Sequence, residues 1–329
     1  MAKPKVIVLT TGGTIGHRSG KDGVATMSFD PAGLVSALAL PAIDMEFRAV
    51  MRKGSMDVVP DDWVTIAKAV ADTLQGAPRG IVVAHGTDTM HYTAAALSFM
   101  LRGLPVPVVM TGSMIAGGDA GSDALPNLRD AVTVAALADF AEVCVVFAGK
   151  IIRGTRARKV HSHAVDAFAS INAPLLGTLV DGKIALGALR GATPGASKLE
   201  FATELDGNVV LIKLTPNLSA HALARQLERA SGAVLEGTGV GHIRTDLQPV
   251  VEQFGRPVVL CTQAIYGGER LGAYDVDRHI LALPNIIPGG DMPSETALVK
   301  LMWAFGQGGD VRAIMQTHLA GERETAPPA

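Results

Sequence analysis

Gly80-Ile81-Val82-Val83-Ala84-His85-Gly86-Thr87-Asp88-Thr89-Met90 opens on a short apolar run rich in β-branched residues and closes in a polar turn punctuated by glycine. Such a run, too short for a helix, reads as a strand buried on both faces. The same construction occurs at Val6-Ile7-Val8-Leu9-Thr10-Thr11-Gly12-Gly13-Thr14, and at 106–111 before a glycine-rich loop over 112–122. Helical patterns alternate with these strands. Asp30-Pro31-Ala32 starts one, with an acidic cap and a first-turn proline. Pro60-Asp61-Asp62-Trp63 starts another that runs to Leu74 with Ile66, Val70 and Leu74 on one face. Residues 94–101 and 124–137 read as helices and 143–147 as a strand. The alternation predicts an α/β fold: a doubly wound N-terminal domain with a mainly parallel sheet in flavodoxin-like order.

A cluster of Gly, Pro and Ser at 191–197 interrupts this pattern, and strand–helix alternation then resumes. Residues 209–214, 233–236 and 258–262 read as strands, and 218–229 and 294–305 as helices. The expected organisation is a catalytic α/β domain over 1–190, a linker over 191–208 and a smaller α/β domain over 209–329. The tail, 321–329, is charged and then Ala/Pro-rich, and is expected to fray.

Composition excludes several classes. The chain has 329 residues, 48% of them hydrophobic and 18% charged, which suits a large packed core and not a disordered chain. Lys plus Arg total 29 against 31 Asp plus Glu, a net charge of −2, so no basic field is available to hold nucleic acid. Aromatics make up only 4%, too few for base-stacking platforms. No apolar run approaches the ~20 residues of a membrane span, and the N-terminus lacks the apolar core and cleavage site of a signal peptide, so the expected location is cytoplasmic. Cys144 and Cys261 sit in strand-like apolar runs and read as buried thiols, and no Cys/His spacing suggests a metal.

In open α/β sheets, ligands bind beyond the carboxyl ends of the strands. Three polar turns stand there: Thr11-Gly12-Gly13-Thr14-Ile15, His85-Gly86-Thr87-Asp88-Thr89-Met90 and Thr111-Gly112-Ser113-Met114. Glycine permits close approach of a ligand and exposes N–H donors. A threonine there offers a nucleophile or a hydrogen bond. Asp88 suits an ammonium or a proton relay. Taken one at a time, each has a plainer reading. A threonine after a glycine turn is more often a helix cap. Asp88 also fits a helix dipole. Lys159, among Arg153, Arg156 and Arg158, also fits a solvated basic stretch.

Taken together, these segments resemble the bacterial-type L-asparaginase family, in its type I-like, cytoplasmic branch. Thr11-Gly12-Gly13-Thr14-Ile15 and His85-Gly86-Thr87-Asp88-Thr89-Met90 resemble its two signatures. Gly54-Ser55-Met56-Asp57, with Pro60 and Trp63, resembles its substrate-binding serine loop. Lys159, then Phe168, Ser170, Asn172, Pro174 and Gly177, and finally Ile287-Pro288-Gly289-Gly290-Asp291-Met292 with Lys300-Leu301-Met302-Trp303, extend the likeness to about residue 318. The resemblance implies hydrolysis of L-asparagine to L-aspartate and ammonia through an acyl-threonine intermediate. Thr14 would be the nucleophile, with Thr87, Asp88 and Lys159 as the other catalytic residues. Gly13, Ser55, Met56, Gly86, Ser113 and Met114 would bind substrate. No metal or organic cofactor is implied. The implied partners are a small-molecule amide substrate and further copies of the chain, as a homodimer or homotetramer. His242 and Asp275 are the candidates to reach a neighbouring copy's site.

The sequence departs from the family at two points. The family's mobile-loop tyrosine has no counterpart in residues 16–27, where Val24 or Met27 takes its place. His17 and Lys21 are the candidates to replace it from within the loop, and Tyr266 or Tyr274 from elsewhere. Met56 stands where some relatives carry a polar, substrate-contacting residue. These departures keep two alternatives open: a hydrolase of a different small amide or lactam, and a non-catalytic amino-acid-binding homologue. The C-terminal motifs also resemble those of an archaeal amidotransferase component.

Overall fold

The structure is a computed structural model. It describes residues 2–12, 37–188, 191–195, 198–272 and 275–324, the side chain of Val276 excepted, and the backbone of 17–19 and 25–27. The chain forms two compact units, Met1–Ala202 and Thr203–Ala329.

An eight-stranded sheet organises the first unit. From edge to edge its strands are Lys183–Leu186, Gly177–Val180, Lys150–Arg153, Val143–Phe147, Val108–Thr111, Gly80–Ala84, Lys5–Gly12 and Asp44–Lys53. The last five are mutually parallel, and in chain order they read 2-1-3-4-5 from the Asp44–Lys53 edge, the flavodoxin-like order. The other three add as antiparallel hairpins. The apolar runs fill the centre, where Val6, Val8, Ile81, Val82, Val83, Val108 and Val109 are fully buried. Asp44–Lys53 escaped the sequence reading because it is an edge strand, half exposed, with charges interleaved among its apolar residues.

Register decides what this sheet presents. Thr10 pairs with Ala84, and Ala84 with Thr111. Gly80–Ala84 and Val108–Thr111 therefore end at one level and their polar turns emerge side by side, while Lys5–Gly12 runs two residues further. The helix expected over 94–101 begins earlier, as Met90–Met100, so that the His85–Thr89 turn leads straight into it. The strand expected from 106 starts at Val108, because Pro107 has no N–H to give the ladder. The helix expected from Asp30 falls mostly outside the described residues, and only Ala37 and Leu38 are seen as helical. Within 191–208, Glu200–Phe201 pairs with Leu101–Arg102, and Asp206 N donates to Met302 O at 2.9 Å.

The second unit carries four parallel strands in sequential order, Val209–Lys213, Gly232–Gly237, Val258–Thr262 and Ile286–Pro288. Alternate residues feed two apolar layers. Leu235, Val258 and Leu260 meet Leu223, Val251 and Ile280 on one face; Val234, Val259 and Cys261 meet Ala297, Leu301 and Met315 on the other. Both cysteines are free buried thiols. Among the described residues no helix is long and apolar enough to cross a membrane.

The expectation that the tail frays from residue 321 is corrected for 321–324, and 325–329 lie outside the described residues. Helix Ser294–Gly306 buries Lys300 completely, and a buried ammonium requires partners. Its Nζ donates to Met315 O at 3.0 Å, Thr317 O at 2.6 Å and Glu322 Oε1 at 2.5 Å, with both ionic side chains at 0% exposure. The Glu322 carboxylate also accepts the N–H groups of Leu319 and Ala320. The chain is thereby pinned to the core through Glu322. Removing one partner of such a pair strands the other charge, so Glu322→Ala is expected to lose about 3–5 kcal/mol in chemical denaturation. Lys300→Met/Glu322→Leu, which removes both charges, is expected to recover most of that loss.

Candidate active site

The turns after Gly80–Ala84 and Val108–Thr111, the serine loop after Asp44–Lys53 and one short ladder build the described part of the site. The ladder pairs Ala157–Lys159 with Phe168–Ser170 and carries Lys159 to the turn that follows Gly80–Ala84. Lys159 Nζ donates to Thr87 Oγ1 at 2.8 Å and to Asp88 Oδ1 at 2.7 Å. Thr87 is buried, the Lys159 side chain is 14% exposed, and that of Asp88 is 61% exposed. A hydroxyl and an amine thus meet at the wall of the site, with a carboxylate on its open side.

Ser55 is stapled to the same turn. Its Oγ accepts from Asp88 N at 3.2 Å, and its carbonyl accepts from Thr89 Oγ1 at 2.6 Å. The serine loop is itself anchored by Asp62, whose carboxylate takes Lys53 Nζ at 2.7 and 2.8 Å and Val59 N at 2.9 Å. Burial works to raise the Asp62 pKa, but the Lys53 ammonium and the Val59 N–H outweigh it, and its carboxyl lies below the ordinary value. Two glycines set the clearances. A Cβ on Gly86 would stand 2.6 Å from Ser55 Oγ; one on Gly112 would stand 2.5 Å from His85 O and 3.2 Å from Thr87 Cγ2.

The third turn is held by residues that follow it in the chain. Asp123 accepts the N–H groups of Met114 and Ile115 at 2.9–3.0 Å. Asn127 Nδ2 donates to Gly112 O at 3.0 Å, and its Oδ1 accepts from Ala148 N. The N–H of Met114, a candidate substrate-binding residue, is therefore occupied. The Ser113 hydroxyl, fully buried, has no partner among the described residues. The sequence signal for Asp123 and Asn127 was their i, i+4 spacing at a helix start, which placed them on one face but did not show what that face meets.

Gly13, Thr14, Lys21 and Tyr274 lie outside the described residues. His17 lies in the strand His17–Ser19, whose backbone pairs it with Met27. Met56 follows Ser55 in a short 3-10 turn with 78% of its surface exposed. The candidates to reach a neighbouring copy are in the second unit. His242 Nδ1 bonds Asp277 Oδ1 at 2.8 Å, whereas Asp275 is exposed and pairs with Arg278. Tyr266 is exposed in the same unit. Among the described residues no group of three His, Cys, Asp or Glu side chains is set to hold a metal.

Comparison with known proteins matches the family described as "Asparaginase, N-terminal" over residues 5–188 and that described as "Glutaminase/Asparaginase C-terminal domain" over 208–317. The chain belongs to the asparaginase family. It is 42% identical to an L-asparaginase of Thermococcus kodakarensis, over 97% of this chain and 98% of that one. It is 38% identical to a component of the glutamyl-tRNA(Gln) amidotransferase of the same organism, over 97% of this chain and 76% of that one. Its fold matches the thermostable L-asparaginase structure from T. kodakarensis with a TM-score of 0.91 and 39% identity, covering 98% of this chain and all of that one. The chain is an asparaginase-family amidohydrolase.

Two measurements test this geometry. Gly86→Ala is expected to destabilise the protein by about 1–3 kcal/mol in chemical denaturation, because the methyl group cannot enter without moving Ser55. The second concerns pH. Burial, then the Arg158 and Lys159 cations, hold the His91 imidazole down at about 3, and burial lowers His85 as well. The unfolded chain takes up protons at these histidines as pH falls through 6.5, while the folded chain does not. Stability is therefore full above pH 6.5 and falls as pH drops from 6.5 towards 3, by up to about 1.4 kcal/mol per pH unit for His91, with His85 adding a fall of the same sign. His91→Phe is expected to flatten that slope in denaturation midpoints measured between pH 7 and 5.

Proposed function

We propose that the chain hydrolyses the side-chain amide of L-asparagine, with Thr14 as the nucleophile. The observation that carries this reading is the Lys159–Thr87–Asp88 cluster beside a fixed Ser55. Thr14 Oγ attacks the amide carbon, the C–N bond breaks, and ammonia leaves with a proton delivered to its nitrogen. An ester to Thr14 remains. Lys159 and Thr87 then take a proton from the water that attacks this ester, and L-aspartate and the threonine hydroxyl are released. Ser55 holds the substrate's α-carboxylate with the hydroxyl proton its bond to Asp88 N leaves unused. Asp88 offers its open face to the α-ammonium. His17 or Lys21 takes the place of the absent tyrosine as the proton acceptor for Thr14. The same reading includes a homodimer or homotetramer in which His242 or Asp275 reaches a neighbouring copy's site.

The exposed Met56 beside Ser55 favours a second reading, another small amide or lactam, because a thioether offers no strong hydrogen bond to an amino group. Ammonia release from L-asparagine, L-glutamine and simple lactams separates the two. With L-asparagine as substrate, Thr14→Ala and Lys159→Met are each expected to lower kcat by at least about 10³-fold, and Thr87→Ala by about 10²–10⁴-fold. Wild-type rates in either threonine variant would exclude the acyl-threonine route. Tight binding of asparagine without ammonia release would make the chain a binding protein.

A further inference from the structure

His85, the first residue of the turn that carries Thr87, has no part in the chemistry above, yet it is fully buried and both of its ring nitrogens are engaged. Nδ1 stands 2.7 Å from Gly86 O. A carbonyl only accepts, so the proton sits on Nδ1. Nε2 stands 3.1 Å from Thr93 Oγ1 and must then be the acceptor of that hydroxyl. The network admits a single neutral tautomer. A protonated ring would turn Nε2 into a donor to the Thr93 hydroxyl, whose hydrogen would then turn to Thr89 O at 3.4 Å, so burial of the ring is what disfavours that state.

The two bonds join three pieces of the site. Gly86 is buried and packed on Ser55, with no room for a side chain. Thr93 lies in the first turn of helix Met90–Met100. The backbone of His85 is fixed to the neighbouring strand, its N–H donating to Thr111 O at 2.8 Å, and its carbonyl is closely approached by Gly112, which also limits Thr87. The ring therefore bolts the turn to the helix two residues before Thr87.

We propose that His85, as the neutral Nδ1–H tautomer, is a positioning residue that sets Thr87 at hydrogen-bonding distance from Lys159. The titratable groups that face the ring are Asp62, from helix Pro60–Leu74, and His91, from helix Met90–Met100. Asp62 is already bound by Lys53 and Val59, and His91 is buried with its Nδ1 unpartnered among the described residues. Neither offers His85 a proton-stabilising bond, and burial keeps the ring neutral. The effect on rate rests on the amidohydrolase reading above; the tautomer and the placement of Lys159 do not.

The test uses the full-length protein with 15N-labelled histidine and lysine, and the variants His85→Asn, His85→Gln, His85→Phe and Thr93→Val. The His85 ring is expected to show a protonated Nδ1 and a bare Nε2 without change from pH 8 to pH 5. The Thr93→Val substitution keeps the side chain's shape and removes only the hydroxyl, so it tests the link even where His85→Phe fails to fold. In the folded variants kcat for ammonia release is expected to fall about 10–100-fold with KM within about threefold, the signature of misplacement rather than lost binding. His85→Asn, whose amide can donate to Gly86 O, is expected to recover part of the loss that His85→Gln does not. A ring that titrates near 6.5 or carries its proton on Nε2 would overturn the proposal. So would a folded His85→Phe or Thr93→Val with wild-type kcat. If the wild-type protein releases no ammonia from any amide, the function reading fails, and the Lys159 Nζ titration decides instead. A shift of that titration in Thr93→Val supports the positioning role, and an unchanged one refutes it.

Discussion

One row across three parallel strands is the constraint on which the site depends. Thr10, Ala84 and Thr111 lie in that row, so the turns that follow Ala84 and Thr111 open next to one another. The buried apolar residues beneath them hold that row, since a one-residue slip would turn each strand's side chains to the opposite faces. With the row fixed, Thr87 meets Lys159 from a separate ladder, Ser55 arrives from the strand on the far side of Lys5–Gly12, and Gly112 closes the third side.

Much of the polar chemistry around these turns is spent on fixing backbone. Asp62 ties the serine loop to its helix, Asp123 occupies two consecutive N–H groups, and Asn127 bridges two loops. Each of these residues satisfies backbone groups that would otherwise be left unpaired in a loop packed against the core. Among the described residues, the Asp88 carboxylate, the Ser55 hydroxyl and the Thr87–Lys159 pair are the polar groups of these turns that this backbone bracing leaves over. Family membership and this set agree on the reaction class. The choice among amides rests on Met56 and on what serves in place of the loop tyrosine.

The second unit follows the same architecture with a different solution at its edge. Its sheet is sandwiched between two apolar layers, yet one helix carries a lysine on the face that enters the core. The ion pair with Glu322 makes that burial tolerable and makes residues 319–322 part of the unit. A composition-based view of residues 321–324 sees glycine and charge and expects solvent, because the partner that changes the outcome is 22 residues away.

The sequence by itself determined the α/β class, the parallel order of the central strands, and the turns that carry Thr87, Asp88, Ser55 and Gly112, because buried strands and glycine turns leave local signatures in composition and period. It also singled out Lys159, but only through the motif around it; taken alone the residue reads as one more solvated cation among arginines. Only the tertiary structure decided that Lys159 faces Thr87, that the Met114 N–H is taken by Asp123, that His85 is locked in one tautomer, and that Glu322 is buried. These are contacts between residues far apart in the chain or set by how a side chain packs. A side chain's partner, and with it its charge and its availability, is fixed by distances across the fold that no local pattern encodes.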